Sequence, residues 1–179
     1  KIGLFAVPDN LPAAPVPELL GRFPDRLLPD LMRNWKDKRV TSIRYPEAVR
    51  PWQHVLEPLH GYLRLAEHLW QEPKAFAEAW NFGPADSDCL SVGRICRFTV
   101  DFFGDSIAID LDTKPKPHEA HFLKLDCAKA NNRLSWRSSL TIEKALNMSF
   151  DWYRRYYEGE SAEALTVEQI KAYRRLLSH

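Results

Sequence analysis

The segment "IRYPEAVRPWQHVLEPLHGYL", Ile43 to Leu63, gathers two arginines, two histidines, two glutamates and three prolines around one tryptophan. Such a set can do acid–base work, clamp an anion, or simply build a well-packed strand–turn–helix corner. Arg50 has the most constrained setting. It precedes Pro51, which confines residue 50 to extended backbone and so stiffens the placement of its side chain. A guanidinium held that way suits a phosphate or carboxylate, and equally a surface ion pair with Glu47 or Glu57. His54 and His60 flank Pro58 and fall on different elements. Each reads as a hydrogen-bonded structural histidine.

Other candidates resolve toward packing. His118 and His121 stand three apart around Glu119, on a loop entering a strand. Strand side chains alternate, so that spacing points the rings apart and no metal is expected. Cys96 has Arg94 and Arg97 nearby, but it falls on the apolar side of its helix and reads as a buried structural thiol. Trp152, Tyr153, Tyr156 and Tyr157 recur at helical spacing and read as core.

Several chemistries have no motif here. No two of the seven glycines form GxG, so neither a dinucleotide fingerprint nor a GxxxxGK[ST] loop is present. "KIGLFAV" has the apolarity of a first dinucleotide-binding strand, but Pro8 stands where glycines are needed. No tyrosine has a lysine four residues later, and no GxSxG elbow occurs. The net charge of +1 gives no field that would gather nucleic acid. No apolar run approaches the roughly 20 residues of a membrane span. Three cysteines without CxxC spacing suggest a reducing compartment, hence a cytoplasmic protein. The chain opens on Lys1 without a methionine, so an upstream start is expected.

The elements that must position these residues follow from periodicity. Residues 1–23 are proline-rich and read as an irregular arm. Residues 24–179 form the second unit. Asp25 to about Lys36 is a helix, with Asp25 or a neighbour as its cap. "VTSIRY" is extended, "PEAVRP" turns, and "WQHV" is a second short extended piece. From Pro58 a helix follows, with Leu59, Tyr62, Leu63, Ala66, Leu69 and Trp70 on its apolar face and Glu57 in its cap region. "AWNFG" reads as a buried strand ended by Gly83-Pro84. Ser91 opens a helix closed by Gly104. "SIAIDL" and "HFLKLD" read as strands, and Asp126 as a cap for "CAKANNRL". Thr141 to Tyr157 is a longer helix, and Thr166 with Gln169 fits a capping box for the last one. Few strands alternate with about six helices, so the class is α/β.

The opening segment, taken whole, resembles a known family. "RYPEAVRPWQHVLEPLHGYLRLAEHLW" is similar to the corresponding stretch of CDP-glucose 4,6-dehydratases, which are NAD-dependent extended short-chain dehydrogenase/reductases. "DRLLPDLMR", "AWNFGP", "PHEAHFLKLDCAKA" and "TVEQIKAY" continue the resemblance from about Pro24 to Tyr173. One departure is local: the family usually reads Leu-Gly-Trp-x-Pro where this chain has "LSWRSS".

The resemblance implies the C-terminal, substrate-binding half of such an enzyme. The complete enzyme converts CDP-glucose to CDP-4-keto-6-deoxyglucose, a step toward O-antigen sugars of lipopolysaccharide. The glycine-rich NAD loop and the Tyr-x-x-x-Lys pair would lie in the other half, so no catalytic residue and no NAD site is expected in this chain, and the chain alone is expected to be inactive. The same resemblance puts Arg50 on the diphosphate of a CDP-sugar, Arg26 as a second nucleotide contact, Leu27 against the base or ribose, and Glu119 and His121 near the nucleotide. Trp52 and His54 would hold Arg50 in place. The half is expected to associate, with itself or with a complementing NAD-binding half. The alternatives are a non-catalytic remnant that binds a nucleotide sugar or only a partner protein, and a decayed fragment without activity.

Overall fold

The computed structural model describes residues 26–111 and 123–178. Its elements follow the sequence in most places, and the departures have local causes. Helix α1 (Leu27–Lys36) buries Leu28, Leu31 and Met32 almost completely. Its N-cap is Arg26, in extended conformation and without a side-chain cap bond; the Arg26 carbonyl accepts from Asp30 N at 3.0 Å. Asp25, the expected cap, lies outside the described residues.

Two small ladders carry the strands. Strand β1 (Thr41–Ile43) pairs in parallel with β4 (Ile109–Leu111). Strand β2 (Val49–Pro51) pairs antiparallel with β3 (Cys89–Ser91), placing Arg50 opposite Leu90. The extended piece expected at "WQHV" therefore lies earlier, at Val49–Pro51. Pro51, which lacks an N–H donor, ends it.

"AWNFG" forms no strand, and neither does Leu123–Asp126; the rest of "HFLKLD" lies outside the described residues. These two stretches meet through side chains instead of a ladder. Asn81 Nδ2 donates to the Asp126 carbonyl at 3.1 Å, and Gly83 N donates to Cys127 Sγ at 3.0 Å.

The helices number seven among the described residues, one more than expected, because the turn at "PKAF" closes into α3 (Pro73–Phe76). Helix α4 (Val92–Phe103) starts on Ser91, whose hydroxyl accepts from Arg94 N at 3.3 Å, and ends on Gly104 at φ 58°. Both ends match the sequence reading. Short α5 (Ala128–Arg133) has Asp126 Oδ1 accepting from Ala128 N at 2.9 Å. Helix α6 (Ile142–Tyr157) is capped by Thr141, which accepts from Lys144 N. Helix α7 (Ala162–Leu177) begins one turn before the expected capping box. Ser161 is its cap, directly after the turn at Gly159 (φ 103°). Thr166 and Gln169 lie inside the helix and tie it to α6: Thr166 Oγ1 accepts from Trp152 Nε1, and Gln169 Nε2 donates to the Met148 carbonyl.

The largest departure is helix α2 (Leu56–Gln71). It starts two residues early, with Val55 as N-cap, and it is turned on its axis relative to expectation. Glu57 and Gly61 are buried, while Leu59, Tyr62, Leu63 and Trp70 are 45%, 55%, 67% and 90% exposed. Gly61 sets this rotation locally, because a Cβ there would stand 2.3 Å from the Phe82 ring.

The main core forms where α1, α4 and α6 meet, around Leu31, Met32, Ile95 and Phe150, with Trp52 at its edge. A second cluster holds Phe82, Leu134 and Trp136. Between Leu134 and Trp136, the departure "LSWRSS" puts Ser135 at φ 49°. A left-handed conformation costs a non-glycine residue about 1–2 kcal/mol, and glycine's extra chain entropy returns roughly 0.5–1 kcal/mol of that. Ser135→Gly is therefore expected to stabilise the fold by about 0.5–1 kcal/mol. Urea unfolding checks it; an unchanged or lower midpoint would remove strain at Ser135 as the explanation.

Candidate functional site

The corner that carries Arg50 is built from β2, the buried run that follows it, and the start of α2. Arg50 is half-buried on β2, and its Nη1 donates to the Val49 carbonyl at 2.9 Å. Its ladder partner Leu90 is fixed from the other side: Trp52 Nε1 donates to the Leu90 carbonyl at 2.8 Å. The tryptophan thus bolts the end of the β2–β3 ladder two residues from Arg50. Pro51, Trp52, Gln53 and His54 are all buried, and Gln53 Nε2 donates to the Phe82 carbonyl at 2.8 Å. Such a run cannot shift without breaking these bonds, so the Arg50 backbone is pre-organised.

His54 continues the corner as a scaffold. It is 5% exposed, and its Nδ1 accepts from Leu56 N at 3.3 Å. Burial pulls its pKa down to about 4, against a smaller opposing effect of the ring's hydrogen bond to Gln169 of α7. The ring is neutral at neutral pH and is not an acid–base group there.

Glu57 stands in the first turn of α2, as its sequence position predicts, but its carboxylate serves other elements. Its carboxylate is fully buried. Oε1 accepts from Ser139 N at 2.9 Å and Leu140 N at 2.7 Å, and Oε2 accepts from the Tyr173 hydroxyl at 3.0 Å. Burial raises its pKa, while the bonds from Leu140, Tyr173, Ser139 and Ser138 pull it down. One carboxylate therefore joins the start of α2, the loop before α6, and α7. These bonds are its engagement, so the ion pair between Arg50 and Glu57 considered from sequence is not what the carboxylate makes. Asp88 plays a like part nearby, with Oδ1 accepting from Ile142 N at 3.1 Å at the start of α6. Neither role had a sequence signal: an acidic residue at a helix start reads as a cap whichever way its side chain turns.

Of the five binding residues expected from sequence, three are described. Arg26 is half-buried at the α1 N-cap, and Leu27 packs on the main core. Leu90, opposite Arg50, packs on the same core, so α1's start and the β2–β3 ladder share one support. Glu119 and His121 lie outside the described residues. Cys96 is 3% exposed, and burial pushes its thiol up to about 11, which suits a structural role. Among the described residues no group of three metal-ligating side chains forms, and no helix is long and apolar enough to cross a membrane. His118 and His121 lie outside that search.

The sequence itself supplies the last observation. Over 149 residues the chain is 41% identical to the CDP-glucose 4,6-dehydratase of Salmonella typhimurium strain LT2. This chain is similar to part of a CDP-glucose 4,6-dehydratase. The match takes in 83% of this chain and 42% of that relative, so the chain spans less than half the relative's length, consistent with a C-terminal portion. No family model matches the chain. The mixed α/β architecture, with its few short strands, is compatible with a partial dehydratase domain.

Proposed function

We propose that this chain is the nucleotide-sugar-binding portion of a CDP-glucose 4,6-dehydratase-like lyase of the extended short-chain dehydrogenase/reductase type. In this reading Arg50 engages the diphosphate of a CDP-sugar, and Arg26 with Leu27 forms the nucleotide side of the pocket. The observation that carries it is the setting of Arg50: a guanidinium on a strand whose register is fixed by Trp52 and whose following residues are buried. A planar fork held in one place suits two adjacent phosphates. Glu119 and His121 remain proposed contacts of the same nucleotide.

NAD would accept and return the hydride in the complete enzyme. The chain has neither a glycine-rich phosphate loop nor a Tyr-x-x-x-Lys base, so its residues do not fit that cofactor, and no hydride step is assigned to them. Dehydration then requires residues beyond those of this chain, supplied by a complementing portion or an assembly. The organisation into an arm (1–23) and a binding unit (24–179), and a cytoplasmic location, belong to this proposal.

The test is a thermal shift. A ligand at about 100 times its Kd stabilises a protein by about 2.7 kcal/mol, or roughly 5–10 °C for a domain of this size. CDP is expected to give such a shift, and Arg50→Ala to abolish it while leaving the unliganded Tm near its starting value. No shift with saturating CDP sinks the reading. Incubation of the chain with NAD and CDP-glucose is expected to form no 4-keto product; its appearance would place the catalytic groups in this chain and overturn that part.

A further inference from the structure

Helix α7 is tied to α6 at several points. Thr166 Oγ1 accepts from Trp152 Nε1 at 3.2 Å, Gln169 Nε2 donates to the Met148 carbonyl at 2.6 Å, and Glu168 pairs with Arg155 at 2.9 Å. Tyr173 reaches past α6. Its ring is buried, packed with Leu140 and Ala145 and flanked by Leu56, and it meets the His60 ring edge-on at 6.1 Å. Held on those sides, its hydroxyl donates to Glu57 Oε2 at 3.0 Å, in the first turn of α2.

From Glu57 a line of buried groups runs back to Arg50. Glu57 N donates to the His54 carbonyl at 3.0 Å, Gln53 Nε2 to the Phe82 carbonyl at 2.8 Å, and Trp52 Nε1 to the Leu90 carbonyl at 2.8 Å. Leu90 stands opposite Arg50 in the β2–β3 ladder. Pro51, Trp52, Gln53, His54 and Glu57 are all buried, so a shift at one end of the run has little slack to absorb it. Gln169 adds a second tie from α7, its hydrogen bond with the His54 ring. We propose that Tyr173 is a positioning residue for the Arg50 site: from α7 it sets, through Glu57, the strand that carries the guanidinium. A nucleotide then meets a preformed arginine only while α7 is docked. The inference goes beyond the CDP-sugar reading and rests on it for the ligand alone.

The experiment titrates CDP by calorimetry into the wild type, Tyr173→Phe, Arg50→Lys and the double variant, well below the lowest Tm of the four. Tyr173→Phe removes only the hydroxyl, and Arg50→Lys keeps the charge but loses the planar fork. The tyrosine change is expected to weaken CDP about three- to tenfold when Arg50 is present and less than about twofold beside Lys at position 50, where no fork remains to be aimed. A lowered Tm with an unchanged Kd is what a merely structural hydroxyl would give, and it overturns the proposal. So does an equal loss in both backgrounds. Phe76→Leu, a core change in the second cluster, is the control: it is expected to lower the Tm and leave the Kd within about twofold. If it weakens CDP as much as Tyr173→Phe does, lost stability is the cause and the proposal falls. Amide exchange without nucleotide gives an independent reading. Tyr173→Phe is expected to speed exchange at residues 49, 50 and 89–91 more than Phe76→Leu does. If the wild type binds no CDP, the CDP-sugar reading fails; if only Arg50→Lys binds none, that reading stands. In both cases exchange decides, and equal ladder rates in the Tyr173→Phe and Phe76→Leu chains overturn positioning by Tyr173.

Discussion

Replacing Glu57 by alanine is expected to remove about 3–5 kcal/mol of stability, a large part of the 5–15 kcal/mol a domain usually has. The carboxylate is fully buried and answers three donors: the amides of Ser139 and Leu140 and the hydroxyl of Tyr173. Alanine leaves all three facing a space too buried for bulk water. Each orphaned donor costs about 1–3 kcal/mol, and their shared location makes the sum less than additive. Two milder substitutions order the series. Glu57→Gln keeps the shape and one acceptor oxygen but turns an NH2 toward a donor, so about 1–2 kcal/mol is expected. Tyr173→Phe removes one of the donors and leaves the two amide bonds, for about 1 kcal/mol. Urea unfolding of the three variants checks the order. A Glu57→Ala loss below that of Tyr173→Phe would mean that the three donors are not what holds the corner.

Local signals in the sequence were legible where one residue decides one feature. Ser91 and Thr141 cap their helices because a hydroxyl before an apolar-periodic run has one obvious use, and Gly104 ends α4 in a conformation that favours glycine. Cys96 is buried because its position on the apolar side of α4 left little else. What depends on distant partners was not legible. "AWNFG" has a strand's composition, but a strand exists only against a neighbour, and its contact with the 126–127 segment runs through Asn81 and Cys127. The rotation of α2 followed the same logic. Periodicity found its apolar row, and Leu69 of that row does pack on the second cluster, but Gly61 against Phe82 and Glu57 against the 139–140 amides turned most of the row outward. At the candidate site the motif pointed to Arg50, and the structure added how it is braced. Glu57 stayed hidden because its three donors lie more than 80 residues away in the chain.

The acid limb of the stability profile is expected to be governed in good part by His54. In the folded chain its pKa lies at about 4, lowered by burial, whereas an unfolded histidine titrates near 6.5. Between those values the unfolded state binds a proton that the native state does not. Stability therefore rises with pH across this window. The contribution is complete above pH 6.5 and is lost as pH falls toward 4. A separation of this size corresponds to about 3 kcal/mol at most. The geometry gives the cause: Nδ1 accepts from Leu56 N, and a protonated ring would turn an N–H against an N–H inside a buried corner. Glu57 acts with the opposite sign. Its raised pKa gives a contribution that is present below the unfolded carboxylate value and lost as pH rises through the folded one. It partly offsets the histidine in the same acid range. Exposed carboxylates such as Glu78, lowered by Lys129 and Arg133, lose their contribution only at lower pH. Comparing wild type with His54→Gln cancels these shared groups. The difference in unfolding free energy between the two is expected to shrink by about 2–3 kcal/mol from pH 7.5 to pH 4.5. Parallel profiles over that range would show that His54 takes up its proton at the same pH in the folded corner as in the unfolded chain, and would require a different hydrogen bond at Leu56.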